Sequence, residues 1–252
     1  MDKCKKIKVI QLVTGLGVGG AERIVIELSN QLQSRNVDVY LFSLSSEQSI
    51  LKQYSDIQFS FSTLSMSKSV VSFIKVIFFL RRFVKLNGIT VIHAHMFHSL
   101  SVAIALKMLL PRLKIVFTSH SFLGFGRMRS IFIKYTRFVR NTDIVFSKRQ
   151  HVELNANSVI IKNAVNIPTA RDRLVSDEFT FLFLGRLESP KNPVGLIDII
   201  SKMHDKKSKF LIAGDGYLRT EVERKNSGPL SGLPPSYLFR QLTFGSNHCL
   251  LA

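Results

Sequence analysis

The sequence predicts an α/β protein with one complete domain built on a parallel sheet and a second, incomplete domain of the same kind. Short β-rich apolar runs alternate with longer segments at helical spacing, the pattern of βαβ units around a parallel sheet. The chain has 252 residues and is 46% hydrophobic, enough for one full domain and part of another, since domains run to about 100–200 residues. The alternation stops after Asn226, too early for the second domain to close.

In order, strands are expected at Lys8–Val13, Val37–Leu44, Ile57–Phe61, Thr90–Ala94, Lys114–Thr118, Asp143–Ser147 and Ser158–Lys162. Helices are expected at Ala21–Gln33, Ser69–Leu86, His98–Leu110, Arg127–Asn141 and, briefly, near Gln150. Pro168 and the polar stretch through Ser176 interrupt the pattern. A second series follows: strand Phe179–Leu184, helix Pro193–His204, strand Phe210–Ala213 and helix Tyr217–Lys225. Gly228, Pro229, Gly232, Pro234 and Pro235 then punctuate a stretch without a period. The resulting division is an N-terminal domain over 1–165, a linker over 166–177, a partial C-terminal domain over 178–225 and an irregular tail over 226–252.

Lys and Arg number 35 against 17 Asp and Glu, a formal charge of +18, so an anionic partner is expected: nucleic acid, anionic lipid or a phosphorylated small molecule. Cys4 and Cys249 fit no disulfide framework and no metal spacing, which favours a reducing cytoplasm. Lys3, Lys5, Lys6 and Lys8 precede an apolar run, but Gln11 and Gly15 interrupt it, so it reads as a first strand and not an export signal. Val76–Leu80 is bracketed by Lys75 and Arg81, and no run reaches the roughly 18 apolar residues of a spanning helix. A soluble or peripheral cytoplasmic protein is expected.

Between the first strand and first helix, Gly15, Gly17 and Gly20 satisfy the dinucleotide fingerprint G-x-G-x-x-G in a strand-to-helix context. Such a turn aims free N–H groups and the positive end of a helix dipole at a phosphate or diphosphate. Alternatively, it only lets strand and helix pack closely. A dinucleotide site also needs an acid about 20 residues on, at the end of the second strand. That strand ends in Ser43-Leu44-Ser45, with Asp38 at its beginning, which weighs against a nicotinamide enzyme.

Gly19-Gly20-Ala21-Glu22-Arg23 with Leu28, Val91-Ile92-His93-Ala94-His95, Thr118-Ser119-His120-Ser121, Asn163-Ala164-Val165-Asn166, Gly185-Arg186-Leu187 with Lys191-Asn192, and Phe210–Gly216 occur in one order. Together they resemble the family 4 glycosyltransferases, which have the GT-B fold of two Rossmann-like domains. The fold expectation becomes a Rossmann-like N-terminal domain plus an incomplete second Rossmann-like domain, a partial GT-B. The resemblance implies transfer of a sugar from a nucleotide-diphosphate sugar to an acceptor, with retention at the anomeric carbon, no metal and no further cofactor. By resemblance Gly19 and Gly20 approach the donor diphosphate, Arg186 and Lys191 neutralise it as it leaves, and His120, which follows a strand where the family lines the sugar pocket, is the expected catalytic-site residue, with no proton transfer assigned to it. Fixed cations aimed where charge develops suit that chemistry. His93, His95 and His98 have no acidic or Cys companion, so contacts at the sheet edge are expected in place of a metal site.

The expected helices over 69–86 and 127–141 carry polar stripes: Lys68, Ser72, Lys75, Arg82 and Lys85 on one, and Arg127, Ser130, Lys134, Arg137 and Asn141 on the other. Opposite them stand Phe73, Ile77, Phe78, Leu80 and Phe83, and Met128, Phe132, Tyr135 and Phe138. Such helices either cover the sheet or rest on an anionic membrane surface. The resembled family also carries an E-x7-E motif for the donor's sugar and ribose. After Arg186 the only glutamates are Glu188, Glu221 and Glu223, and no two have that spacing. The expectation is an enzyme of bacterial-type surface polysaccharide assembly, acting on a nucleotide sugar and a lipid-linked saccharide acceptor and impaired by C-terminal truncation. The alternative is a non-catalytic module that binds an acceptor, a membrane or a partner. A nucleic-acid partner is set aside, because the basic residues alternate with core positions and form no aromatic-interleaved platform.

Overall fold

The computed structural model describes residues 6–120, 126–154, 157–163, 179–202, 209–227 and 237–240. Cys4, Cys249, Ser121, Ala164–Asn166, the expected linker and much of the tail lie outside them. The chain divides into two units, Met1–Asn166 and Ile167–Ala252.

In the first unit the elements run β1 (Lys8–Val13), α1 (Gly20–Ser34), β2 (Asp38–Ser43), β3 (Ser60–Thr63), α2 (Val70–Asn87), β4 (Val91–His95), α3 (Met96–Leu109), β5 (Lys114–Thr118), α4 (Arg127–Tyr135), β6 (Thr142–Val145), α5 (Lys148–Leu154) and β7 (Ser158–Ile160). The seven strands form one parallel sheet in the order β3-β2-β1-β4-β5-β6-β7. The chain therefore steps outward from β1 in one direction and from β4 in the other. The β1/β4 boundary is the switch point where sheets of this kind open a crevice at their carboxyl edge.

Strand periodicity decides what each sheet face carries. Ile10, Leu12, Ile92, Ala94, Ile115 and Phe117 point into a core shared with Leu80 of α2, Leu100 and Leu106 of α3, and Ile133 of α4. On the opposite face Val13, Val39 and Leu41 pack on Val25 and Ile26 of α1. One face thus holds α2, α3 and α4, and the other holds α1.

Some bounds differ from the expected ones for local reasons. Ile57 and Phe59 go into the α1-side core, so only Ser60–Thr63 reach the ladder of β2. The helix expected through Asn141 leaves α-geometry at Tyr135, followed by a 3-10 turn over Thr136–Val139. There Thr136 Oγ1 donates to Phe132 O at 2.7 Å, and Arg140 Nη1 donates to Ile133 O at 2.7 Å. Arg140 also holds Asp143 in a buried bidentate pair at 2.6 and 2.7 Å. Helix α3 begins directly after β4, with Met96 at φ 71° in place of a loop.

The second unit contains β8 (Thr180–Leu184), α6 (Pro193–Ser201), β9 (Lys209–Ala213), α7 (Arg219–Ser227) and β10 (Tyr237–Arg240) in a parallel sheet of order β10-β9-β8. Strand β10 corrects the irregular tail read from sequence: Tyr237, Leu238 and Phe239 pair with Phe210, Leu211 and Ile212. A single four-residue strand is too short for its period to stand out beside five nearby Gly and Pro residues. Leu187, Ile197, Ile212 and Val222 form this unit's core.

Candidate active site

At the carboxyl edge of the first unit, the α1-side face carries a row of buried polar groups. Gln11, His93, His95 and Thr118 are all buried. Register places Gln11 beside His93 and His95 beside Thr118, so β1, β4 and β5 present them on one face. His95 Nε2–H donates to Gln11 Oε1 at 2.7 Å. In a neutral imidazole that leaves His95 Nδ1 as the acceptor, so His120 Nε2–H donates to it at 3.0 Å. The same logic leaves His120 Nδ1 without a proton, an acceptor for a hydroxyl. His93 Nε2 and Thr118 Oγ1 share a hydrogen bond of 2.7 Å.

Burial keeps these rings neutral, because a cation would lose its hydration there. Desolvation first, then the neighbouring His120, pushes His93 down to about 3. Desolvation pushes His120 down to about 4. His95 also lies well below its ordinary value, from burial and then from His93 and His120. None is a cation at neutral pH, so the cluster suits hydroxyl recognition and not anion binding.

These groups line a cavity of about 700 Å³ with Glu27 and Leu28 of α1, Phe146 after β6, and Lys162 and Asn163 after β7. The His120 and Phe146 ring centroids lie 5.6 Å apart. A shallower hollow of about 370 Å³ near Asp38, Tyr40 and Ile57 sits at the opposite end of β2, away from the carboxyl edge. At the end of β1, Gln11 Nε2 and Thr14 Oγ1 are buried without a hydrogen-bond partner among the described residues. Orphaned polar groups of this kind call for a ligand or a water.

The glycine loop divides by role. A Cβ on Gly15 would come 2.8 Å from Ser45 Oγ, so the serine hydroxyl would have to turn aside to admit one. At Gly20 a Cβ would meet nothing within 4 Å, and at Gly19 it would meet only the flexible end of Glu22. Gly19 is extended at φ −160°, and no side chain caps the helix it begins. Close packing therefore bears on Gly15 and not on Gly20. Free N–H groups and the dipole of α1 remain at the loop.

In the second unit the loops after β8 and β9 are laced together. Gly185 N–H donates to Ala213 O at 3.0 Å and Leu187 N–H to Asp215 O at 2.8 Å. Gly214 (φ 150°) and Gly216 (φ 158°) sit where a Cβ would strike the carbonyls of Gly185 and Leu187. This lattice holds Arg186 at the carboxyl edge, 60% exposed and 3.0 Å from Glu188. Lys191 is exposed at the end of a 3-10 turn, and the Asn192 side chain accepts from Gly195 N–H at 3.2 Å to start α6.

Of the residues singled out from sequence, His120 lines the cavity, whereas Gly19 and Gly20 do not. Arg186 and Lys191 lie in the other unit. Of the three histidines, His93 and His95 make buried hydrogen bonds at the carboxyl edge of the sheet, whereas His98 is exposed on α3. Among the described residues no group of three or more His, Cys, Asp or Glu is placed to hold a metal. Sequence reasoning missed Gln11, although a lone Gln inside Val9–Val13 was the available signal.

Comparison with known proteins gives three likenesses. The sequence profile of Glycosyltransferase Family 4 matches residues 18–153. Over 244 residues the chain is 28% identical to a Campylobacter jejuni enzyme named as a GalNAc-α-(1→4)-GalNAc-α-(1→3)-diNAcBac-PP-undecaprenol α-1,4-N-acetyl-D-galactosaminyltransferase, covering 87% of this chain and 64% of that protein. It is 26% identical over 205 residues to the Escherichia coli O-antigen biosynthesis glycosyltransferase WbnH, covering 76% of this chain and 58% of that protein. The chain thus spans less than two thirds of the length of these relatives. Among solved structures, HepE from Anabaena, in complex with UDP and glucose, superposes with a TM-score of 0.74 at 15% identity, covering 94% of this chain and 70% of that one. The likeness carries the fold: an α/β architecture of the GT-B type.

Proposed function

The chain belongs to glycosyltransferase family 4, and we propose that it takes part in transferring a sugar from a nucleotide-diphosphate donor to a saccharide acceptor in bacterial-type surface polysaccharide assembly. The observation that carries this reading is the Gln11–His95–His120 chain, which holds a neutral imidazole at the carboxyl edge with Nδ1 free to accept from a sugar hydroxyl. His120 is the sugar-contacting group in this reading, and it transfers no proton. Gly19 and Gly20 let the donor diphosphate approach the start of α1. Arg186 and Lys191 supply positive charge for the leaving diphosphate, in place of a metal. The printed names of the two relatives support an oligosaccharide acceptor, carried on undecaprenol diphosphate in the Campylobacter jejuni case. HepE, crystallised with UDP and glucose, supports a nucleotide-sugar donor. A donor made from nucleotides and an acceptor of that kind favour the cytoplasmic face of a membrane.

We propose further that these 252 residues alone transfer weakly, because Glu188, Glu221 and Glu223 offer no pair at E-x7-E spacing. The same feature favours the second reading, a module that binds an acceptor or partner without catalysis. Titrating the chain with UDP and a panel of nucleotide sugars, alongside hydrolysis-corrected turnover, separates the two. Donor binding that His120→Ala or Arg186→Ala weakens, with little turnover, is the expected result. Ordinary turnover numbers would refute the impairment, and no nucleotide binding at all would leave only the non-catalytic module.

A further inference from the structure

Three side chains of the first unit's carboxyl-edge row are linked in series: Gln11 Oε1 to His95 Nε2 at 2.7 Å, and His95 Nδ1 to His120 Nε2 at 3.0 Å. A neutral imidazole donates at one nitrogen and accepts at the other. Each histidine therefore passes the direction of hydrogen bonding from one nitrogen to the other without choosing it. A carboxamide differs in kind, because its oxygen only accepts and its nitrogen only donates. Whichever end Gln11 turns to His95 sets the proton on His95, then the proton on His120, and finally the character of His120 Nδ1.

Gln11 is fully buried in β1, between β2 and β4. It stands level with His93 and reaches diagonally to His95, two residues further along β4. Its Nε2 has no partner among the described residues, so the bond through Oε1 is what holds the amide. His93 lies on a separate branch, bonded to Thr118 Oγ1 at 2.7 Å. A hydroxyl both donates and accepts, so Thr118 imposes no direction. An amide turned the other way would put an N–H against His95 Nε2 and move the His95 proton to Nδ1. His120 would then carry its own proton on Nδ1, facing any hydroxyl proton it would otherwise receive.

We propose that Gln11 is a positioning residue: its amide oxygen fixes the direction of hydrogen bonding through His95 and so makes His120 Nδ1 an acceptor. The inference rests on the reading that His120 contacts a sugar hydroxyl, and it adds a selection rule. The group that faces His120 must offer a hydrogen. A hydroxyl does so, whereas a ring oxygen, an ether or an ionised phosphate does not, and a pocket with one buried acceptor disfavours a ligand that leaves it unpaired.

The test is ¹H–¹⁵N correlation of the histidine side chains at pH 7 in the full chain, comparing the parent with Gln11→Leu and Thr118→Val. In the parent, His95 and His120 should both carry the proton on Nε2. Leucine offers no acceptor, so the parent direction would strand the His95 Nε2–H in the interior, where an unpaired donor is costly. The chain should reverse, and the Nδ1–H share of His120 should rise at least about tenfold. Thr118→Val removes a buried bond from the neighbouring branch and should leave the His120 tautomer as it is in the parent, which separates lost direction from lost packing. If Gln11→Leu does not fold, Gln11→Met, closer in length and without an amide, carries the same expectation. His120 remaining Nε2–H in the Gln11 variant, or shifting equally in Thr118→Val, would overturn the role of Gln11 and leave the sugar-contacting reading standing. A proton on Nδ1 of His120 in the parent itself would overturn both.

Discussion

The carboxyl edges of the two units use the same strand–turn–helix plan to opposite electrostatic ends. In the first, the turns after β4 and β5 place His95 and His120 in a neutral, largely buried hydrogen-bond chain. In the second, the turns after β8 and β9 are tied backbone to backbone and leave Arg186 and Lys191 exposed and charged. One edge suits hydroxyl groups and the other phosphates, and each demands a different support. Neutral imidazoles need burial and partners, whereas exposed cations need only a rigid turn to aim them.

Acid breaks this contrast most strongly. His93 and His120 have native pKa values near 3 and 4 against about 6.5 unfolded. The unfolded chain therefore binds more protons, and stability present above pH 6.5 is lost as pH falls through the native values. Urea unfolding of the first unit should lose about 2 kcal/mol per histidine, some 4 kcal/mol for the pair, between pH 7 and 5. The second unit has no described histidine and should not follow it.

Gly214→Ala strikes the other edge. A Cβ there meets the Gly185 carbonyl at a φ of 150°, so a loss of about 3 kcal/mol is expected. Limited proteolysis should show the second unit cut faster and the first unit unchanged. Gln11→Leu comes next: it buries the His95 Nε2–H without an acceptor, worth about 1–3 kcal/mol, and a thermal melt of the first unit reads it. Gly20→Ala is the mildest for folding, within ~0.5 kcal/mol at an open helix-start position. Its expected effect is on nucleotide affinity, measured by titration with UDP. Lost stability with unchanged affinity would assign Gly20 to packing after all.

Much of the fold was legible because β-rich runs and helical spacing alternate regularly through residue 163, and His120 could be placed because it follows β5. The hydrogen-bond chain was not legible. Gln11 and His95 are 84 residues apart, and only the β1/β4 register brings them together. Nor could periodicity settle α2, whose apolar residues occupy most of its circumference, so that Phe78 and Leu80 look alike in sequence although only Leu80 is buried. The donor-side turn was half legible: G-R-L and G-D-G stand out as motifs, but their lacing depends on the β8/β9 pairing.

The most direct measurement is ¹H–¹⁵N correlation of the histidine side chains across a pH titration. His120 should remain the neutral Nε2–H tautomer down to about pH 4, its proton directed to His95. An Nδ1–H tautomer, or titration near the ordinary value of about 6.5, would contradict the neutral edge on which the sugar-contacting role rests.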